Sequence, residues 1–261
     1  MIKPSENAGE AIRYLESVAL PIFETESESE ECINTPAQPD LSKRVSQTVA
    51  VGSQIASFAE GFEPTLRPAI SNAFLIAQLA ADKLLEDEGG DTDDWYNKYV
   101  EVLGGIGMIS ENAEETFKEI TGTSTEVHKE ILPVLTGLLG PAMAGATALI
   151  SVLEGLQNMD KDAPWITLFD KRSQRARANQ FQISHAETDE KALKITLAAF
   201  ALNAEKSVTR VLFFRFAASE ARLRHMTRKL SVNHAAFTAA APIIEERLGQ
   251  ATRDFIADIA I

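Results

Sequence analysis

The side chains best suited to chemistry are few and far apart. Four histidines (His128, His185, His225, His234) and one cysteine (Cys32) are spread over 261 residues. The histidines show no HExxH or similar spacing, and a single cysteine excludes an internal disulfide and any Cys-cluster metal site. No metal and no cofactor is expected. The Asp-rich turn Glu86–Asp94 lacks the ordered ligands and terminal Glu of a calcium loop, so it reads as a solvated turn. Gly104-Gly105-Ile106-Gly107 has no clear strand before it and no Lys-Ser/Thr after it. It reads as a close backbone packing point rather than a phosphate loop. The acids, histidines and serines form no catalytic constellation, so no catalytic residue is assigned and no enzyme is expected.

Charge is more informative. The net charge of −13 divides unevenly: 10 Lys+Arg against 28 Asp+Glu up to Trp165, then 15 against 10 from Ile166 onward. Such a balance argues against nucleic acid as a partner. The mildly basic back part suits an anionic surface, or simply attraction to the acidic front part. Its cations fall in two groups, Lys171, Arg172, Arg175 and Arg177, then Arg222, Arg224, Arg228 and Lys229. Those of the second group lie in Arg222–Val232, which reads as an edge strand whose charges discourage aberrant pairing. They also suit contact with lipid phosphates.

The elements that would carry these residues change character near Pro164. Before it the apolar period is 3.6. Residues 1–23 hold a short helical pattern that Pro21 ends, and Pro64–Leu85 and Asp94–Leu103 are clearer helices. Ser110–Thr121 is amphipathic, with Ala113, Phe117 and Ile120 inward. Val45–Phe58 is ambiguous between helix and strand. Glu24–Asp40 is too polar to pack and reads as a protease-accessible linker, either a removable N-terminal segment or a surface loop. Residues 1–40 would then be an N-terminal helix and linker ahead of one domain, 41–261. Ile131–Leu153 runs 23 residues without a charge, long enough to cross a bilayer core of ~30 Å. Its prolines and glycines favour a buried helix, or two half-helices broken near Gly140-Pro141. The N-terminus has no basic start followed by an apolar run, so no secretory signal is expected.

After Pro164 the period becomes two. Trp165–Phe169 reads as a short strand or an entry segment. Gln180–His185, Leu193–Asn203, Thr209–Ala217 and Arg222–Val232 follow with short polar connections, which predicts an antiparallel meander. In Leu193–Asn203, Leu193, Ile195 and Leu197 share one face, and Phe200 and Leu202 the other. Thr209–Ala217 is apolar on both faces: Val211 and Phe213 on one, Leu212, Phe214 and Phe216 on the other. That predicts a strand near the middle of the sheet, covered above and below. A terminal helix is expected from Asn233 or Thr238 to about Ala257. The expected fold is α+β: a single-domain α/β/α sandwich with an antiparallel sheet of four to six strands wrapped by helices.

The order of these parts resembles the Cyt family of insecticidal cytolysins, the Cyt-type delta-endotoxins, with volvatoxin-type fungal cytolysins and an Erwinia virulence factor as relatives. The residues that carry the resemblance are the uncharged stretch Ile131–Leu153, the opening Ala163-Pro164-Trp165-Ile166 and the tetrad Val211-Leu212-Phe213-Phe214. It is clearest over residues 127–233 and weaker over 64–83. The resemblance implies a toxin made in soluble form in the cytoplasm. It would lose terminal segments to proteases, bind membrane phospholipid directly and perforate target-cell membranes as a homo-oligomer. The inserting residues would be Leu193, Ile195, Leu197, Phe200 and Leu202, with Val211, Leu212, Phe213, Phe214 and Phe216. Lipid headgroups would meet Lys171, Arg172, Arg175, Arg222, Arg224 and Arg228. One relative is acylated on a core cysteine, and Cys32 does not match that position. A second reading keeps the fold without lysis: a protein that holds a lipid or other apolar ligand between helices and sheet.

Overall fold

In the computed structural model the residues described are 4–21, 37–113, 118–120, 125–140, 147–174, 178–189, 192–216, 221–249 and 255–259. The first helix, α1 (Ala8–Ser17), starts where the Asn7 side chain accepts from the Glu10 N–H. The ambiguous stretch that follows is a hairpin, β1 (Gln47–Val51) and β2 (Gln54–Phe58). Its two-residue turn has Gly52 at φ +56°, a backbone state that favours glycine. The next helix, α2 (Leu66–Glu88), carries the long apolar face that its spacing predicts. The acidic turn after it works as a helix start. Asp91 and Asp94 form a reciprocal capping box for α3 (Thr92–Gly105).

Residues 108–120 are a correction. The described parts of the amphipathic stretch Ser110–Thr121 are strands, β3 (Met108–Ala113) and β4 (Lys118–Ile120), rather than helix, and Phe117 lies outside the described residues. A two-residue strand, β5 (Thr125–Glu126), leads into α4 (Val127–Leu139), which ends at Gly140 with φ +71°. A second helix, α5 (Thr147–Gly155), follows, so the uncharged stretch contains two half-helices. Among the described residues no helix is long and apolar enough to cross a membrane. Trp165–Phe169 is also not a strand. It lies in α6 (Pro164–Ser173), with proline at the first turn, where its missing N–H costs nothing.

Three long strands come next or nearly so: β6 (Asn179–Asp189), β7 (Ala192–Ala204) and, after the two-residue β8 (Arg215–Phe216), β9 (Ala221–Val232). The terminal helix α7 (His234–Leu248) is capped by Asn233 and stops short of the expected end. Residues 256–258 are a strand instead, β10 (Ile256–Asp258).

The main sheet has eight strands in the order β10-β1-β2-β6-β7-β9-β3, with β4 also paired to β9. It is mixed rather than purely antiparallel, because β2 and β6 run parallel. The reason is that the chain leaves β2 and returns at β6 only after five helices, a crossover that brings it back in the same direction. Arg222–Val232 is not an edge: β9 pairs with β7 on one side and with β3 and β4 on the other. Helices cover both faces. Side chains from α1, α2, α3 and α7 share one core with the sheet, and those from α4, α5 and α6 share the other.

The largest correction concerns Thr209–Ala217. Residues 211–213 are a turn, and among the described residues only Arg215–Phe216 pair, with Thr125–Glu126 in a separate two-stranded ladder. Val211, Leu212 and Phe213 are buried all the same. The segment is part of a long connection from β7 to β9, folded back over the α4–α6 side. Its backbone is held there by α4 and α6: the Val127 and His128 N–H groups donate to Phe214 and Leu212, and the Val211 N–H donates to Asp170 Oδ1 at 2.8 Å. A buried turn needs apolar side chains all round just as a central strand does, so composition could not separate the two.

Candidate functional site

The candidate site is the half of the sheet where β6, β7 and β9 run side by side. In β7 successive side chains alternate between the two cores. Ile195, Leu197 and Ala199 pack with α1, α2, α3 and α7, while Ala198, Phe200 and Leu202 pack with α4, α5 and α6. This is the division of faces that the period of two predicts for Leu193–Asn203. The register then assigns its neighbours. Phe200 stands between Phe181 of β6 and His225 of β9, and Leu202 stands opposite Leu223. The Phe181 and Phe200 rings stack with centroids 5.1 Å apart, and Phe169 of α6 meets Phe181 edge-on at 5.8 Å. On this face Ile55, Phe181, Ile183, Phe200, Leu202 and Leu223 are all buried in the α4–α6 core.

The opposite face of the same half is mixed, polar along β6 and at the arginines of β9 and apolar at Leu197, Ala199 and Met226. Gln180, Gln182 and Ser184 alternate with Phe181 and Ile183 along β6 and are buried. Arg222, Arg224 and Arg228 fall on that side of β9, opposite Asn203, Ala201 and Leu197 of β7. Arg228 donates to Ser110 Oγ at 3.1 Å and lies over the Tyr96 ring, 5.8 Å from its centroid. Glu119 stands opposite Arg224 in the β4 pairing.

Hydrogen bonds tie this face to its helices. Tyr99 of α3 donates to Gln54 Oε1 at 2.7 Å, and Gln54 Nε2 donates to Ser184 Oγ at 2.8 Å. Gln78 of α2 donates to the Val51 carbonyl at 2.9 Å and accepts from the Ser53 N–H at 2.9 Å. Ser53 Oγ also lies 3.3 Å from Gln182 Oε1. Burial pushes the Tyr99 hydroxyl well above its usual range, so it stays a donor.

The apolar half-face ends at a polar row that crosses five strands. The register aligns Thr48, Ser57, His185, Thr196 and Lys229. Thr48 and Ser57 hydroxyls are 3.4 Å apart. His185 is 1% exposed and neither ring nitrogen has a hydrogen-bond partner. Burial pulls its pKa down to about 4. At the other side of the apolar half-face, Asp170 of α6 is 2% exposed and its carboxyl is pushed up to about 6 by burial, against the Val211 N–H and the Arg210 guanidinium.

The sequence-predicted residues are therefore distributed as follows. Leu193, Ile195, Leu197, Phe200 and Leu202 all lie on β7, split between faces. Val211, Leu212 and Phe213 are buried in the turn, Phe214 is half-buried, and the Phe216 side chain lies outside the described residues. Lys171 is exposed at the end of α6, and Arg172 stacks over Phe255 at 3.6 Å. Neither shares an element with Arg222, Arg224 and Arg228. Arg175, Cys32 and most of the acidic linker lie outside the described residues. Phe181, Ile183 and Leu223 were missed as site residues. The signal for Phe181 and Ile183 is the alternation Gln180-Phe181-Gln182-Ile183-Ser184, and that for Leu223 the alternation Arg222-Leu223-Arg224.

Two clefts stand out on the surface. One of about 460 Å³ is lined by Glu88, Asp94, Lys98 and Glu101, and one of about 340 Å³ by Ser46, Glu60, Glu187 and Thr188. Both are polar. Among the described residues no group of three or more His, Cys, Asp or Glu is placed to hold a metal ion.

No protein-family profile matches the chain. No curated protein matches it either. Among solved structures it is similar to a delta-endotoxin at 13% identity, with a TM-score of 0.42, covering 82% of this chain and 90% of that one. It is similar to the activated monomer of Cyt2Ba from Bacillus thuringiensis subsp. israelensis at 16% identity and a TM-score of 0.28, over 52% and 78% of the two chains. The Evf virulence factor is similar at 11% identity and a TM-score of 0.35, over 96% and 91%. These are proteins of the kind that the sequence resemblance names.

Proposed function

We propose that the chain is a membrane-perturbing protein that carries its lipid-active strands under helical cover until it meets a bilayer. The observation that supports this reading is the set of three adjacent strands, β6, β7 and β9, of 11, 13 and 12 residues. At about 3.3 Å per residue each is longer than a ~30 Å hydrocarbon core. Over about half of its length β6 is apolar on one face and polar on the other, and β7 beside it is apolar on both, so both strands can offer an apolar surface to lipid. Inserted strands must close with those of other copies, because an open sheet edge in lipid leaves backbone groups unsatisfied. The protein would therefore act as a homo-oligomer on phospholipid, with the helices moved aside. The long strands, rather than Thr209–Ala217, would carry the insertion.

The test is dye release from phosphatidylcholine/phosphatidylethanolamine vesicles, with intact protein and with protein cut by a protease between α1 and β1. Release by either form is the expected result. Dependence on cutting would make the N-terminal segment a latch. Binding without release would point to a non-lytic lipid-binding protein, and neither binding nor release would overturn the proposal.

A further inference from the structure

The two faces of the sheet are not equivalent, and the difference assigns them to different surroundings. We infer that the face under α4, α5 and α6, built from Ile55, Phe181, Ile183, Phe200, Leu202 and Leu223, is the surface that meets the acyl chains of a phospholipid bilayer, while α2 and α3 stay on the other face. The inference rests on the membrane-perturbing reading and adds to it which face and which helix layer are involved.

Two independent features converge on it. The first is side-chain polarity. Along β6 the residues toward α4–α6 are Phe181 and Ile183, and those toward α2–α3 are Gln180, Gln182 and Ser184. Along β9 Leu223, His225 and Thr227 face the first side, and Arg222, Arg224, Met226 and Arg228 the second, so all three arginines of this stretch lie on the second. Turning the second face to lipid would bury three glutamine or serine side chains and three guanidinium groups in hydrocarbon, each at substantial cost. Turned the other way, the same groups line water.

The second feature is how each helix layer is attached. The α2–α3 layer is bonded to the sheet by buried side chains: Tyr99 through Gln54 to Ser184, and Gln78 to Val51 and Ser53. Lifting that layer would strip partners from buried polar groups. The described hydrogen bonds at the start of α4 run instead to the Leu212–Phe214 turn, which lies outside the sheet. Leu149, Val152 and Leu153 of α5 join Ala50 and Ile55 of the sheet through apolar packing. Lipid can replace contacts of that kind with contacts of the same kind. The two helices are also short, 13 and 9 residues, so each is a small unit to displace.

The polar row Thr48-Ser57-His185-Thr196-Lys229 fits the same orientation. It bounds the apolar half-face on one side, so the lipid-facing surface stops at a line of groups that suit the headgroup level.

The experiment has two arms, both on the unmodified protein. In the first, phosphatidylcholine with a photoreactive diazirine in its acyl chain is mixed into phosphatidylcholine/phosphatidylethanolamine vesicles, and adducts are mapped by mass spectrometry. Adducts on Phe181, Ile183, Phe200, Leu202 and Leu223 are expected. Adducts on Ile195, Leu197, Ala199 and Met226 overturn the assignment, as does equal labelling of both faces. In the second arm, without lipid, hydrogen exchange is followed in urea below the unfolding midpoint. Residues 127–139 and 147–155 are expected to lose protection at lower urea than residues 66–105. The reverse order, or loss of both together, overturns the inference about the mobile layer. A protein that binds no vesicle at all overturns the membrane reading and the face assignment with it, whereas binding with adducts on the wrong face overturns only the latter.

Discussion

His185 is the residue whose cost is easiest to read. A buried imidazole with no partner must stay neutral in the folded protein, so its pKa falls from 6.5 to about 4. The unfolded chain therefore takes up this proton first as pH drops, and stability is lost between about pH 6.5 and pH 4. Asp170 has the opposite sign. Its pKa rises from 3.8 to about 6, so the folded state binds the proton first and gains stability as pH falls through 6. At pH 5 the histidine term amounts to about 2 kcal/mol of loss and the aspartate term to about 1 kcal/mol of gain. The wild-type protein should weaken only slightly, because the two terms partly cancel. Replacing His185 by leucine removes the loss and leaves the gain. Urea unfolding at pH 7 and pH 5 should then show the H185L variant gaining about 2 kcal/mol on wild type across that interval. Parallel pH dependence in the two proteins would mean that the imidazole finds a partner in solution. Asp170→Asn should do the reverse, since its amide oxygen still accepts from Val211 but no longer titrates.

Among the elements, α1 is docked rather than trailing. Ala11 and Leu15 are fully buried, Ser5 bonds to Gly104 and Gly105, and Arg247 of α7 donates to the carbonyls of Leu15 and Val18 at its C-terminal end. Gly105 makes this contact possible. A Cβ there would lie 2.2 Å from the Tyr14 ring, and that ring is held by the Tyr14 hydroxyl donating to Glu101 at 2.9 Å. Cutting the chain between α1 and β1 should therefore leave α1 bound, and the nicked protein should elute as one species in gel filtration with both fragments present. Gly105→Ala should cost about 1–3 kcal/mol and release the fragment after cutting. A fragment retained equally in both proteins would show that the Tyr14 contact is not what holds it. The close-packing reading of Gly104–Gly107 was legible because the sequence lacked what a phosphate loop needs. The partner helix was not legible, because α1 lies about 90 residues away and no local pattern encodes it. The same limit explains the errors at Trp165–Phe169, Ser110–Thr121 and Thr209–Ala217. Each is a short segment that local pattern leaves open between helix, strand and buried turn, and tertiary contacts decide: α4 and α6 for the Leu212 turn, pairing with β9 for β3 and β4. The long elements were read correctly where many repeats agreed, as in α2 and β7. Pairing partners of β9 were not, because its arginines look like edge charges until Tyr96, Ser110 and Glu119 are brought beside them.

On the scale of the whole molecule, the sheet has edges at β10 and at β3 and β4, and the latter two pair directly with β9. In water those edges are a local matter. In a bilayer every unpaired backbone group on a strand edge costs several kcal/mol, so three strands from one copy cannot be stable alone. A closed transmembrane barrel needs at least eight strands or so, which at three per copy means about three copies or more. Assembly then has to precede or accompany insertion, and the acidic front part, with 28 Asp+Glu against 10 Lys+Arg, would keep copies apart in solution by repulsion. Two consequences follow for kinetics. The rate of dye release should rise more steeply than linearly with protein concentration at fixed lipid. Raising the ionic strength should speed assembly of vesicle-bound protein, because repulsion between the acidic parts is screened beyond about 8–10 Å. Chemical cross-linking on vesicles should yield species of three or more chains, and the same reagent in lipid-free buffer should yield monomer. A strictly linear rate, with only monomer cross-linked on lipid, would exclude a closed barrel and leave a single copy disturbing the outer leaflet with its apolar half-face.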